Sequence, residues 1–408
     1  MPTARGGERR RDQNDFIGTT VLINSSPTLS GCARRVRVRA AMEVADLGTD
    51  RLPARPPARR IAVEEGFNIP EIAAATRRLM ATRLSEEPGE AFIFGLTAPP
   101  PDPAGSPAWM QVITDLGARR LADMDAAGIG MQLLLLSSPG VQIFDRAEAC
   151  ELSVLANDRL AAAIAGHPAR FAGLAAIPPQ DPEFAAAELE RAVGRLGLRG
   201  AVINSHTQGE YLDAPKFEPI LATAERLDVP IYIHPRAPSP AMVRPYLDHG
   251  LPGAVWGYAV EVSLHALRLI FSGTLDRHPR LRLVIGHMGE GIPFFLDRID
   301  THYANGAGRG FGSRSLDRPP SEYFKSHFHI TTSGMNWAPA LRLAIETLGI
   351  ERVLFAADYP FEDARAAVER ISAFALSDGD REKIEVGNAC RVFGISPPAE
   401  SAGAERRA

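Results

Sequence analysis

The chain has 408 residues, 45% of them hydrophobic and 23% charged, a balance ordinary for a soluble globular protein. A formal net charge of -4 gives no reason to expect nucleic acid or an anionic membrane as partner, and no apolar run approaches the ~20 residues that span a bilayer. The three cysteines, Cys32, Cys150 and Cys390, form neither a CxxC pair nor a zinc-ligand spacing, so a reduced, cytoplasmic setting fits and any metal must be held by His and carboxylates.

Residues 1–59 carry 8-ERRR-11, 34-RRVRVR-39 and 52-LPARPPARR-60 without a sustained apolar period, which predicts a disordered extension, with Met42 as an alternative start. From residue 60 short β-rich runs alternate with helical stretches. The first strand is expected at 60-RIAVEE-65, the second at 131-MQLLLLSS-138 and the third at 170-RFAGLAAIP-178. The fourth is 200-GAVINSH-206, the fifth 229-VPIYIHP-235 and the sixth 281-LRLVIGH-287; the seventh is 327-HFHITTS-333 and the eighth 352-RVLFAAD-358. Most are continuous apolar runs, as strands buried on both faces should be. Helices are expected at 148–167, 185–197 and 338–349, several of them ending near Gly. Eight strands with intervening helices over about 330 residues predict an α/β fold, a (β/α)8 TIM-type barrel spanning 60–395. A doubly wound open sheet is the second choice, and no GxGxxG follows an early strand. The tail 396–408 reads as disordered.

In such a barrel the chemistry sits where strands end and loops begin. The polar groups there are Glu64 and Glu65 on the first strand, Asn204, Ser205 and His206 on the fourth, and His234 on the fifth. His287 follows on the sixth, Thr331, Thr332 and Ser333 on the seventh, and Asp358 on the eighth. A carboxylate, a histidine and an aspartate aimed at one mouth suit a divalent cation; oxygen ligands with a single imidazole lean toward Mn²⁺, with Zn²⁺ the other choice. Each residue has a plainer reading. The Glu pair could be a solvated face, His234 a loop cap, Asp358 the N-cap of the next helix, and His206 either a substrate contact or a loop hydrogen bond. His167 and His278 fall at helix-to-strand turns, on the wrong end of the barrel, and read as structural with His249, His265 and His302.

The runs 229-VPIYIHPRAPSP-240, 264-LHALRLIFSGTLDRHPRLRLVIGHMGEGIPFFLDRID-300, 329-HITTSG-334 and 353-VLFAADYPFE-362, in that order, resemble the amidohydrolase-related, metal-dependent aromatic acid decarboxylases, which act on 2,3-dihydroxybenzoate, γ-resorcylate and 5-carboxyvanillate. The resemblance implies metal ligation by Glu64, His234 and Asp358, with Asp358 also the proton donor. It implies that His287 and Glu290 lie beside the substrate. Arg298 matches an arginine that reaches into a neighbouring subunit's site, which implies a homo-dimer or homo-tetramer. Most of the family reads Glu-Glu-His on the first strand; this chain has Gly66 in place of the histidine, as the 5-carboxyvanillate branch also lacks it. The implied activity is non-oxidative decarboxylation of a hydroxylated aromatic acid. The rival readings are a metal-dependent hydrolase of a lactone or amide on the same barrel, and a catalytically dead scaffold. Against hydrolysis, the first strand has no HxH pair and no lysine ends a middle strand. Phe67, Trp256, Tyr258 and Phe361 are candidate neighbours of the substrate ring.

Overall fold

In the computed structural model the eight expected strands are all present. They run Ile61–Phe67, Met131–Leu136, Phe171–Gly173 with Ala175–Ala176, Ala201–Asn204, Ile231–His234, Leu283–Ile285, Phe328–Thr331 and Val353–Leu354, and are called first to eighth below. The structure describes residues 60–83, 86–97, 108–306 and 315–398; the expected extension 1–59 and most of the tail lie outside them.

Every strand pairing is parallel and runs in sequence order, in one three-stranded and one six-stranded segment. Backbone hydrogen bonds join the segments at both seams. Leu174 interrupts the third strand and donates its N–H to Leu134 O at 2.9 Å, while Ala175 N–H donates to Gly200 O at 2.8 Å. On the other side Val63 N–H donates to Phe355 O at 3.1 Å and Gly66 N–H to Tyr359 O at 2.7 Å, so the first strand closes on the eighth. The ring is therefore a closed (β/α)8 barrel, and the open-sheet alternative is excluded. Closure removes the exposed edges a sheet would otherwise offer.

The first strand runs two residues past its expected end, while each of the other seven is shorter than its expected run. All seven residues of the first strand are buried, including both glutamates. Its register against the second slips between Ala62 and Glu65, the signature of a bulge, which re-aims the side chains beside it. The expected helices appear as Arg146–Gly166, Pro182–Gly194 and Ala338–Leu348. Asp145 and Asp181 cap the first two by accepting from Glu148 and Phe184 N–H. The helix after the eighth strand, Ala364–Ser372, is capped by Asp363, so Asp358 is not spent on that task.

Candidate active site

Glu64 leaves the first strand and reaches past the eighth to the end of the seventh. Its Oε2 accepts from Thr331 Oγ1 at 2.6 Å and from Ser333 Oγ, both at the end of the seventh strand. Its Oε1 is buried without a partner. A Cβ at Gly286, on the sixth strand, would stand 2.7 Å from that oxygen, so only glycine lets the carboxylate lie there. Burial alone would raise the Glu64 pKa, but His287, His234 and the two hydroxyls together hold it below the ordinary carboxylate value.

His234 ends the fifth strand, in register with Asn204 of the fourth. Its Nδ1 lies 2.9 Å from Asn204 Oδ1; that oxygen can only accept, so Nδ1 carries the proton and Nε2 keeps its lone pair. Asn204 is in turn fixed by its Nδ2 on Leu136 O at 3.4 Å and by its backbone N–H on Gln142 Oε1 at 2.6 Å. Burial brings the His234 pKa down to about 4, which favours the neutral, metal-binding form.

His287 and Asp358 approach from the sixth and eighth strands. His287 Nδ1 meets Glu290 Oε1 at 2.7 Å, and its Nε2 stands 3.8 Å from Asp358 Oδ2. Burial would lower the imidazole pKa, yet the carboxylates of Glu290, Glu64 and Asp358 carry it well above the ordinary value. Asp358 is pushed up to about 6, first by burial and then by the Glu64 charge, against the pull of His287. The backbone under these groups is strained: φ is +51° at His287, +53° at Glu290, +62° at Asp358 and +41° at Ser205. L-residues adopt this region at a cost, and such residues gather at working sites.

The remaining candidates separate into three groups. Glu65 turns away from Glu64 and binds the backbone around Asp358, with Oε1 on Ala357 N–H at 2.9 Å and Oε2 on Tyr359 N–H at 3.2 Å; burial pushes its pKa up to about 7. His206 is held by loop hydrogen bonds. Its Nδ1 accepts from Gly209 N–H and its Nε2 donates to Ala237 O, so neither ring nitrogen is left over, and burial holds its pKa down to about 2. Phe67 is likewise fully buried core rather than a ring neighbour. Phe361 is half exposed and lies over Gly66, with Cε2 3.2 Å from where a Cβ would be. Tyr258 lies within reach of the Asp358 and Glu90 charges. Trp256 and Arg298 are exposed, Arg298 on the helix Ile292–Gly306 that follows the His287 turn. His278 pairs with Glu225, His265 is buried against Ser205, and His249 and His302 are exposed, all outside the site.

Glu64, His234 and Asp358 are chemically a fitting set for a divalent cation: an orphaned carboxylate oxygen, an imidazole lone pair and a second carboxylate. Each lies close enough to another member or to His287 for their charges to act on one another. As the side chains stand, no three His, Cys, Asp or Glu among the described residues are gathered to ligating distance. Asn204, Ser333 and Thr331 support the set through hydrogen bonds. Residue type placed them at strand ends, but only the folded register tells which partner each one serves.

Comparison with known proteins follows the same lines. Residues 114–395 match the family model described as Amidohydrolase. The chain is 42% identical over 289 residues to gamma-resorcylate decarboxylase of Rhizobium sp. strain MTP-10005, covering 69% of this chain and 88% of that protein. It is similar in structure to 5-carboxyvanillate decarboxylase from Sphingomonas paucimobilis, with a TM-score of 0.78 and 42% identity over 83% of this chain and 99% of that one. A 5-carboxyvanillate decarboxylase from Novosphingobium aromaticivorans, solved with manganese and 4-hydroxy-3-methoxy-5-nitrobenzoic acid, matches with a TM-score of 0.79 and 38% identity, over 82% of this chain and 96% of that one.

Proposed function

This chain belongs to the amidohydrolase family, and we propose that it works there as a carboxy-lyase: a metal-dependent, non-oxidative decarboxylase of a hydroxylated aromatic carboxylic acid. The observation that carries this reading is the pair formed by His287 and Asp358 at the strand ends, whose charges act on the buried Glu64 carboxylate with its orphaned oxygen. Glu64, His234 and Asp358 would hold one divalent cation, Mn²⁺ in preference to Zn²⁺, and when bound it would supply Lewis-acid chemistry at the substrate's acidic oxygens.

The chain's own residues do the rest. An arene carboxylate leaves badly, because the electron pair of the breaking bond would sit in an sp² orbital orthogonal to the ring. Protonating the ring carbon that bears the carboxylate avoids this. Asp358, whose carboxyl is pushed up by burial and by the Glu64 charge, delivers that proton. The ring loses its aromaticity, and the ortho hydroxyl stabilises the resulting species. The carbon–carboxylate bond then breaks, its electron pair restores the aromatic ring, and CO₂ departs. Glu290 fixes the imidazole of His287, which stands within reach to return a proton to Asp358 or to hold a substrate oxygen. Phe361 and Tyr258 line the ring's approach.

A homo-dimer or homo-tetramer with Arg298 offered to a neighbouring site is part of the same reading. Support comes from exposed apolar side chains on and near that helix, Phe294 at 73% and Trp337 at 63% exposure. A cytoplasmic setting is retained from the cysteine pattern. Among the described residues no helix is long and apolar enough to cross a membrane.

The experiment is a panel of hydroxybenzoates assayed for CO₂ release with Mn²⁺ or Zn²⁺ added back, beside a panel of lactones assayed for acid release. Turnover of an ortho-hydroxylated benzoate supports the proposal; turnover confined to lactones overturns it.

A further inference from the structure

We propose that Glu65, the second carboxylate of the first-strand pair, is a positioning residue that clamps the Asp358 peptide so that its carboxyl points into the ring. The inference rests on the role given to Asp358 above. Glu65 is fully buried, and its carboxylate takes the N–H groups on both sides of Asp358, from Ala357 and from Tyr359. The carbonyl of Tyr359 is taken by Gly66 N–H at 2.7 Å, so one dipeptide of the first strand holds three backbone groups around the aspartate. These bonds support Asp358 at φ +62°, a conformation that costs an L-residue energy.

The clamp is itself braced from behind. Gln132 Nε2 donates to Glu65 Oε2 at 3.1 Å, and Gln132 Oε1 accepts from Arg120 Nη1 at 3.1 Å. Arg120, also fully buried, donates from Nη2 to Gly66 O at 2.6 Å and from Nε to Asp115 O at 3.0 Å. Its guanidinium lies 4.7 Å from the Tyr359 ring centroid, and the Tyr359 hydroxyl donates to Asp123 Oδ2 at 2.7 Å. A buried arginine, a carboxamide and a carboxylate thus link the second strand to the loop carrying the acid. Both oxygens of Glu65 are engaged by donors, which gives them work other than holding a metal. The two adjacent glutamates have different tasks: Glu64 faces the ring, and Glu65 fixes the group across from it.

The test uses Glu65→Gln, alone and with Gln132→Glu. In the single variant the new amide can face both Tyr359 N–H and the Gln132 amide, donor against donor. In the double variant the amide introduced at position 65 donates to the carboxylate introduced at position 132, which also accepts from Arg120. The pairing is then repaired everywhere except at Tyr359 N–H. Three quantities are read on the full chain: backbone amide exchange at residues 357–359, affinity for Mn²⁺ by chelator competition, and the split of kcat against KM on a hydroxybenzoate. For the double variant a melting temperature close to the parent's is expected, with Tyr359 exchange at least about tenfold faster. Mn²⁺ binding should weaken several-fold, and kcat should fall about 10- to 100-fold at nearly constant KM, the scale of a misplaced group. A folded variant whose Tyr359 amide stays protected, or whose kcat and Mn²⁺ affinity match the parent's, overturns the clamp. Asp358→Asn is run beside it. If that variant keeps parental turnover, the fault lies with the role of Asp358, and the exchange and Mn²⁺ data alone decide on Glu65.

Discussion

Gly66 stands where a side chain has no room. A Cβ there would lie 2.7 Å from Ser137 Oγ and 3.3 Å from Tyr359 O, so the place where most of the family carries a histidine is filled by the second and eighth strands. Gly66→Ala is expected to cost about 1–3 kcal/mol through overpacking. Ser137→Ala should return part of that, giving a coupling energy above about 0.5 kcal/mol in a double-mutant cycle read by urea unfolding. Strictly additive effects would mean that the two positions do not share the space. His234→Ala should lose bound metal and turnover together, since it removes the one imidazole of the set; full metal content in that variant would take His234 out of the ligand shell. At this scale residue type at a strand end is enough to make Glu64, His234, His287 and Asp358 candidates. It did not separate Glu64 from Glu65, because two adjacent carboxylates look alike until the bulge and the eighth-strand amides assign them. It also left His206 open, whose ring nitrogens are claimed by loop backbone that only the fold brings near.

Among the elements, the helix Pro88–Thr97 is tied to the barrel by one buried cation. Arg236, fully buried just past the fifth strand, donates from Nε to Glu90 Oε1 at 3.1 Å, from Nη2 to Glu87 Oε2 at 2.9 Å and from Nη1 to His206 O at 3.2 Å. It ties that helix to the exits of the fourth and fifth strands. Arg236→Met should destabilise by about 3–5 kcal/mol, because buried Glu90 is left without its charge partner. The measurement is urea unfolding, with cleavage within 88–97 by a protease as the local readout; a loss under about 1 kcal/mol would show the latch to be slack. The strands themselves were plain in the sequence, since apolar runs buried on both faces have no other use in a chain with interspersed helices. Their ends were not, because Leu174 breaks the third strand at a seam between two segments of the ring, a tertiary feature with no local mark. The latch was hidden for the same reason: Arg236 and Glu90 are 146 positions apart.

For the molecule as a whole, buried neutral histidines work against stability in acid. Burial is the first cause that holds His206 down to about 2 and His265 and His329 to about 3, while each titrates near 6.5 in the unfolded chain. Below 6.5 the unfolded state therefore binds more protons than the folded one, and stability falls as pH drops toward the folded values. Each histidine contributes up to about 1.4 kcal/mol per pH unit in that window. Glu65 and Asp358, raised to about 7 and about 6, take up protons in the fold over the same range and oppose this loss. Urea midpoints should therefore fall from about pH 6.5 to about pH 4.5 less steeply than the histidines alone would give; midpoints that rise toward acid would contradict the histidine contribution. The closed ring was legible from the count and order of strands, and the position of the site from the rule that barrel chemistry sits at the strand ends. The direct test is turnover in D₂O, by the Mn²⁺-loaded parent and by Asp358→Asn, of the hydroxybenzoate that releases CO₂ in the panel, scoring CO₂ and ring deuterium together. The account predicts one CO₂ and one deuteron at the vacated carbon for the parent. It predicts turnover lower by a factor of about 10² or more in the variant, with metal retained at reduced affinity and no exchange of the product's ring hydrogen. Exchange at the parental rate in that variant would contradict it and move the proton to another residue.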